Sequence, residues 1–445
     1  MSTSTLIKNA TIVNEGLRYQ ATLLIENGHI AKILKDGCPE NYPADEIIDA
    51  EGCYLLPGVI DCHVHFREPG LTQKADIAHE SCAAAAGGVT TIFDMPNTMP
   101  QTTTMESYQE KLQLFAEKCC VNYSIFFGAT NDNIDILQQL DPQTTCGIKL
   151  FMGSSTGNML VDQEEALRKL FLTAKLPIMT HCEDTATINV NMAKAKAEFG
   201  EDPSIEQHPN IRSTEACFKS TQLAVKLAQE YHSQLHVAHI TTQEELSLFD
   251  AQHPNITAEV CIPHLVFSQE DYAKLGGLIK CNPAIKSAED RKALQAALSN
   301  GTICTIGTDH APHQKSEKQG GAARAVSGMP MVQFSLVTML ELVDNGVLSM
   351  ETMVQLMSHN PAKRFQIKQR GFIREGYAAD LVMIRPNQPW KVDANCIKSK
   401  CGWSPMEGHT YNWRIEQTWC NGNVVFTNGN PTSTSAKGQQ VYFDR

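Results

Sequence analysis

The sequence predicts an α/β protein, a (β/α)8 TIM barrel flanked by a small composite β-sandwich built from both termini. Three observations carry this expectation. Between about residues 55 and 365, apolar strand-like runs alternate with helical stretches. Both chain ends carry short strand runs punctuated by turn residues. The polar residues with reactive side chains gather at the C-terminal ends of the predicted barrel strands, where barrel active sites are built. The expected divisions are 1–54 for the N-terminal part of the sandwich, 55–365 for the barrel, and 366–445 for the rest of the sandwich and a tail.

In chain order, residues 5 to about 50 read as short strands, with Asn27-Gly28 a strong hairpin signal between two β-rich runs. This segment is too small for a core of its own. Runs 380–384 and 423–429 carry similar signals and are its natural partners. Barrel strands are expected at 58–65, 89–94, 122–128, 146–151, 177–181, 235–240, 257–261 and 303–309. Helical stretches fall between them, among them 75–86, 105–118, 164–174, 213–230 and 288–298. The Ser/Thr/Gly-rich stretch Pro431 to Gln440 reads as a loose tail.

A chain of 445 residues with 42% hydrophobic and 19% charged residues has the composition of an ordinary globular protein. Its formal net charge of −12 argues against a nucleic-acid-binding surface. Fifteen cysteines without paired spacing read as reduced thiols of a cytoplasmic protein. Neither a signal peptide nor a membrane span is expected.

The stretch that organises the chain is Gly58 to Pro69. His63 and His65 stand at i, i+2, which in a strand turns both rings to one face, where they can share a metal ion. One such pair could equally be a buried histidine beside a solvated one. Lys149, His181, His239 and Asp309 then fall at the ends of predicted strands four, five, six and eight. Alone, a lysine in an apolar strand usually reaches solvent, and a histidine is usually a satisfied core group. Four histidines, a lysine and an aspartate at equivalent strand ends suit a two-metal site.

On these residues the sequence resembles the dihydroorotases of the cyclic amidohydrolase superfamily over nearly its whole length. The segments that carry the likeness are Asp61-Cys62-His63-Val64-His65-Phe66-Arg67-Glu68-Pro69 and Gly307-Thr308-Asp309-His310-Ala311-Pro312-His313 followed by Lys318. Met95-Pro96-Asn97-Thr98, Thr180-His181-Cys182-Glu183, Asn360-Pro361-Ala362 and Gly376 to Asp380 add to it. The resemblance implies two Zn2+ per subunit, held by His63, His65, His181, His239 and Asp309. It also implies a bridge from Lys149 carboxylated by CO2, where some relatives carry an aspartate. A hydroxide between the metals would be the nucleophile, with Asp309 as general acid and base. Arg67, Asn97 and His313 would bind the substrate α-carboxylate, and Asn282 the ring.

The implied reaction is the reversible cyclisation of N-carbamoyl-L-aspartate to (S)-dihydroorotate in pyrimidine biosynthesis, by a cytoplasmic homodimer. Other cyclic amidohydrolases (dihydropyrimidinase, hydantoinase or allantoinase) are the nearest alternatives, and a non-catalytic scaffold is a further one. The chain departs from the family pattern at Cys261-Ile262-Pro263-His264-Leu265, with one histidine where relatives often have two, and at Pro283 to Lys286. Residues Gln314 to Gly328 read as a lid over the site or as a disordered surface connection.

Overall fold

The structure is a computed structural model that describes residues 4–35, 42–153, 159–250, 252–432 and 437–445. Eight parallel strands form the barrel in two hydrogen-bonded arcs. Barrel strands 1 to 3 are Val59–Val64, Val89–Asp94 and Asn122–Ile125. The third continues after Phe126 as Phe127–Gly128, which opens the second arc. Strands 4 to 8 follow as Ile148–Phe151, Ile178–His181, Leu235–Val237, Ile256–Cys261 and Ile303–Gly307. A bridge from Val64 to His310 and a 2.7 Å bond from the His65 N–H to the His310 carbonyl join the last strand to the first.

Alternation within each strand sorts the side chains. Ile148, Leu150, Ile178, Ala258, Val260 and Ile306 join the large core beneath the helices. On the opposite parity Met179 and its neighbours meet Ile60, Phe93, Phe126 and Ala238 in a separate interior cluster. That cluster is closed from below by Phe365, Val441 and Phe443. Side-chain caps start the surrounding helices: Asp76 accepts from the His79 N–H, Ser213 from Ala216 and Ser287 from Asp290. Thr104 and Ser107 form a reciprocal capping pair.

The termini share one continuous nine-stranded sheet. Ser4–Asn14 pairs with Leu17–Glu26 and with Tyr54–Pro57, and Tyr54–Pro57 pairs in turn with Leu381–Arg385. Tyr54–Pro57, which spans the boundary expected at residue 54, is thus a strand of the terminal sheet. Leu55, Leu381 and Met383 face a core shared by both termini, whereas Leu56, Val382 and Ile384 face the barrel's helical core. The Asn27-Gly28 turn has both φ values positive, at 51° and 81°, as a two-residue hairpin requires. It packs on a second such turn, Asn421-Gly422, where a Cβ on Gly422 would come within 2.7 Å of Gly28 Cα.

The C-terminal part departs from the expected tail. Residues 433–436 lie outside the described residues, but from Lys437 the chain is anchored rather than loose. The Gly438 N–H bonds the Cys119 carbonyl at 2.9 Å, and the Val441 N–H bonds Tyr123 at 3.0 Å. Side chains join these backbone anchors, with Val441 and Phe443 in the interior cluster and the Arg445 Nε donating to the Pro142 carbonyl at 2.9 Å. The stretch containing Trp390–Lys391 and Thr410–Tyr411 forms its own two-stranded sheet, outside the terminal one. Among the described residues, no helix is long and apolar enough to cross a membrane.

Candidate active site

At the C-terminal end of the barrel a cavity of about 780 Å3 is lined by His63, His65, Lys149, His181, His239 and Asp309, together with Arg67, Asn97, Asn282 and His313. All ten residues expected from the sequence thus reach one cavity. Two devices aim them. The pairing of strands 1 and 2 slips between Asp61 and Val64, so Cys62 joins the interior cluster while His63 faces the centre above it. His239 (φ 41°), Asp309 (φ 46°) and Arg67 (φ 67°) hold left-handed backbone, a strained state for non-glycine residues. Asp61 ties strand 1 to strand 8, accepting from the Thr308 hydroxyl at 2.5 Å and from the backbone N–H of His63 and of Thr308.

Three of the four histidines converge with their outward nitrogens already engaged. His63 Nδ1 lies 2.7 Å from Glu259 Oε1, His65 Nδ1 2.8 Å from Asn97 Oδ1, and His181 Nε2 2.9 Å from Glu183 Oε2. Each contact places the ring proton on that side and leaves the other nitrogen's lone pair for the centre, an arrangement typical of metal-binding histidines. The nitrogens so freed meet. His65 Nε2 and His63 Nε2 stand 3.0 Å and 3.3 Å from Asp309 Oδ1, and His181 Nδ1 stands 2.9 Å from His239 Nε2. His63, His65 and Asp309 offer ligand atoms close enough to share one cation.

Lys149 is 1% exposed, and its Nζ has no hydrogen-bond partner among the described residues. Burial brings its pKa down to about 8. A buried ammonium without a hydrogen bond is costly, and the neutral amine lowers that cost. The donor set of imidazoles, a carboxylate and a lysine amine without a hydrogen bond therefore fits a metal site. Burial also holds His65 down at about 4 and depresses His181 and His239, keeping these rings neutral as ligands must be. For Asp309 burial would raise the pKa, but His63, His65 and Lys149 outweigh it, and the carboxyl stays below its ordinary range.

Beside this centre lies a cationic wall. Arg67 is 8% exposed; its Nε donates to the Pro312 carbonyl at 3.1 Å, and its Nη2 stands 2.9 Å from His313 Nε2. Lys74 Nζ stands 3.0 Å from the ring's other nitrogen, Nδ1. A neutral imidazole has one acceptor nitrogen, so it cannot satisfy both cations. Burial first, and then Arg67, Lys74 and Lys318, keep His313 from protonating. Among the described residues Arg67 makes no ion pair. Asn97 gives its amide oxygen to His65, and among the described residues its NH2 has no hydrogen-bond partner. Asn282 Oδ1 accepts from the Ser327 hydroxyl at 2.9 Å.

Sequence reasoning missed Glu259, Glu183 as a partner of His181, Lys74 and Arg212. The signal for Glu259 was present, since it is an acid on the inward parity between Ala258 and Val260. Arg212, which also lines the cavity, pairs with Glu183.

The family model described as amidohydrolase family matches residues 54–425. A dihydroorotase of Methanosarcina acetivorans is 34% identical over 97% of this chain and 94% of its own length. An allantoinase of Bacillus velezensis is 30% identical over 98% of this chain and 97% of its own. Among solved structures, the L-hydantoinase (dihydropyrimidinase) from Arthrobacter aurescens superposes with a TM-score of 0.94 at 28% identity, covering 99% of this chain and all of that one. The chain belongs to the amidohydrolase family, whose members are generally metal-dependent hydrolases. Within that family, dihydroorotases recur among its similar relatives.

Proposed function

We propose that this protein is a dihydroorotase, which interconverts N-carbamoyl-L-aspartate and (S)-dihydroorotate with loss or gain of water, a step of pyrimidine biosynthesis in the cytoplasm. The observation that carries this reading is Arg67, a buried guanidinium facing the cavity that forms no ion pair among the described residues. A buried cation that no acid neutralises favours an anionic ligand, and dihydroorotate keeps a carboxylate outside the bond being made or broken. That carboxylate would also relieve the conflict at His313, whose two nitrogens both face cations. Hydantoin, dihydrouracil and allantoin carry no such carboxylate.

His63, His65, His181, His239, Asp309 and a carboxylated Lys149 would hold two zinc ions. Bound there, the ions supply Lewis acidity toward the scissile carbonyl and a nucleophile at neutral pH. The protein's own groups do the rest. Arg67, the Asn97 amide and His313 fix the carboxylate and so orient the ring. Asn282 and the neighbouring backbone border the ring's other edge. Asp309, ionised at rest, accepts the proton released on attack and returns it to the departing ring nitrogen. In the closing direction the same carboxyl exchanges these protons in reverse.

The similarity to an allantoinase and to an L-hydantoinase supports a second reading, hydrolysis of an uncharged cyclic amide at the same centre. The two are separated by turnover of dihydroorotate, dihydrouracil and allantoin side by side, with bound metal quantified. Preference for dihydroorotate is expected. Comparable or better turnover of either uncharged amide would overturn the proposal.

A further inference from the structure

The segment after Asp309 returns along the cavity rim, and its residues Ala325 to Gly328 line the cavity. Two buried lysines grip it from behind. Lys318 is 2% exposed, and its ammonium donates to the carbonyls of Lys280 (3.0 Å), Val326 (2.7 Å) and Gly328 (2.6 Å). An ammonium has three donors and no acceptor, so this one is saturated by backbone alone. Lys280, 5% exposed, donates from Nζ to the Ala322 carbonyl at 2.8 Å and to that of Ala325. Among the described residues neither lysine forms an ion pair. A buried cation is costly unless it is paired or well solvated by dipoles. Here the loop's own carbonyls are those dipoles, so the wall and its lysines form together.

The wall in turn touches substrate-facing groups. A Cβ on Gly328 (φ 125°) would lie 2.6 Å from the Ala311 carbonyl oxygen and 3.1 Å from His313 Cδ2. The backbone is therefore packed directly against the ring that meets Arg67. One residue earlier, the Ser327 hydroxyl holds Asn282 at 2.9 Å. Shifting the segment by a fraction of an ångström would move both.

We propose that Lys318 is a positioning residue that sets the substrate-facing wall Ala325 to Gly328, with Lys280 holding the adjoining turn, so that the pair governs substrate affinity through His313 and Asn282 and leaves the metal centre unaffected. The proposal rests on the cavity being the site of cyclic-amide chemistry. Its test compares metal-loaded wild type with Lys318→Met and Lys280→Met, measuring kcat, KM and bound metal with dihydroorotate and dihydrouracil as probes.

In Lys318→Met we expect KM to rise about tenfold or more while kcat stays within about threefold and metal content is unchanged. Lys280→Met, which releases two carbonyls rather than three, should show the same split at smaller size. A folded Lys318→Met with unchanged KM overturns the proposal, and so does a fall in kcat accompanied by loss of metal. If Lys318→Met does not fold, Lys280→Met decides alone by the same criteria. Should the wild type turn over dihydrouracil but not dihydroorotate, the substrate assignment fails, while the KM split on dihydrouracil still decides the role of the lysines.

Discussion

The Nδ1 of His63 lies 2.7 Å from Oε1 of Glu259, and both side chains are sealed from solvent. The carboxylate fixes the imidazole proton on the side away from the centre and leaves Nε2 facing Asp309. Glu259→Gln keeps the size and one acceptor oxygen but removes the charge. Partners of this kind typically contribute about 10–100-fold to metal affinity. The expected outcome is a loss of that order in a chelator-competition titration, with the fold retained by circular dichroism.

Lys149→Ala should remove most activity and at least one bound metal per chain, since the bridge proposed for its carboxylated side chain is gone. Metal analysis of the purified variant checks this. A full metal complement with normal turnover would mean that Lys149 is an isolated buried amine.

Arg67→Met separates substrates rather than metals. Losing one member of a buried charge pair costs about 3–5 kcal/mol, and each 1.36 kcal/mol is about tenfold in rate. With partial solvent access the loss is smaller, so kcat/KM for dihydroorotate should fall by roughly one to three orders of magnitude. Metal content and any turnover of dihydrouracil should hold. Equal losses on both substrates would show that Arg67 supports the fold and not the carboxylate.

Asp76 gives a pH dependence remote from the metal centre. Burial alone would raise its pKa, but the His79 N–H it caps, Lys400 and the His79 ring bring it down to about 2 from an ordinary 3.8. A carboxyl lowered on folding adds stability above its unfolded pKa and loses it as pH falls toward the folded value. Because the carboxylate is partly open to water, which screens its partners, the contribution is about 1 kcal/mol at neutral pH. Asp76→Asn should therefore unfold at lower temperature than wild type at pH 6, and the gap should close between about pH 4 and pH 2. A gap that persists at pH 2 would trace the effect to geometry instead of charge.

What the sequence made legible follows from which interactions leave a periodic or chemical trace. Barrel strands show as apolar runs, and His63, His65, Lys149, His181, His239 and Asp309 stand out because reactive side chains at strand ends are unusual. Glu259 was readable by parity, yet it sits inside an otherwise apolar strand that reads simply as strand. The role of Lys318 was not readable at all. Its partners are carbonyls of Lys280, Val326 and Gly328, and every residue type has a carbonyl. The same holds for the carbonyls that receive the Gly438 and Val441 N–H groups, and for Trp403, whose indole N–H reaches the His313 carbonyl at 2.8 Å. Contacts made by backbone groups leave no mark on composition.

The strands Tyr54–Pro57 and Leu381–Arg385 lie side by side, and each sends alternate residues into two different cores. They are therefore a shared wall, and neither room can be dismantled while the other stands. Melting the terminal sheet strips Leu56, Val382 and Ile384 from the barrel helices, and melting the barrel exposes the same three residues. Calorimetry of the intact chain should then record a single cooperative transition, with the catalytic cavity and the paired chain ends lost at one temperature.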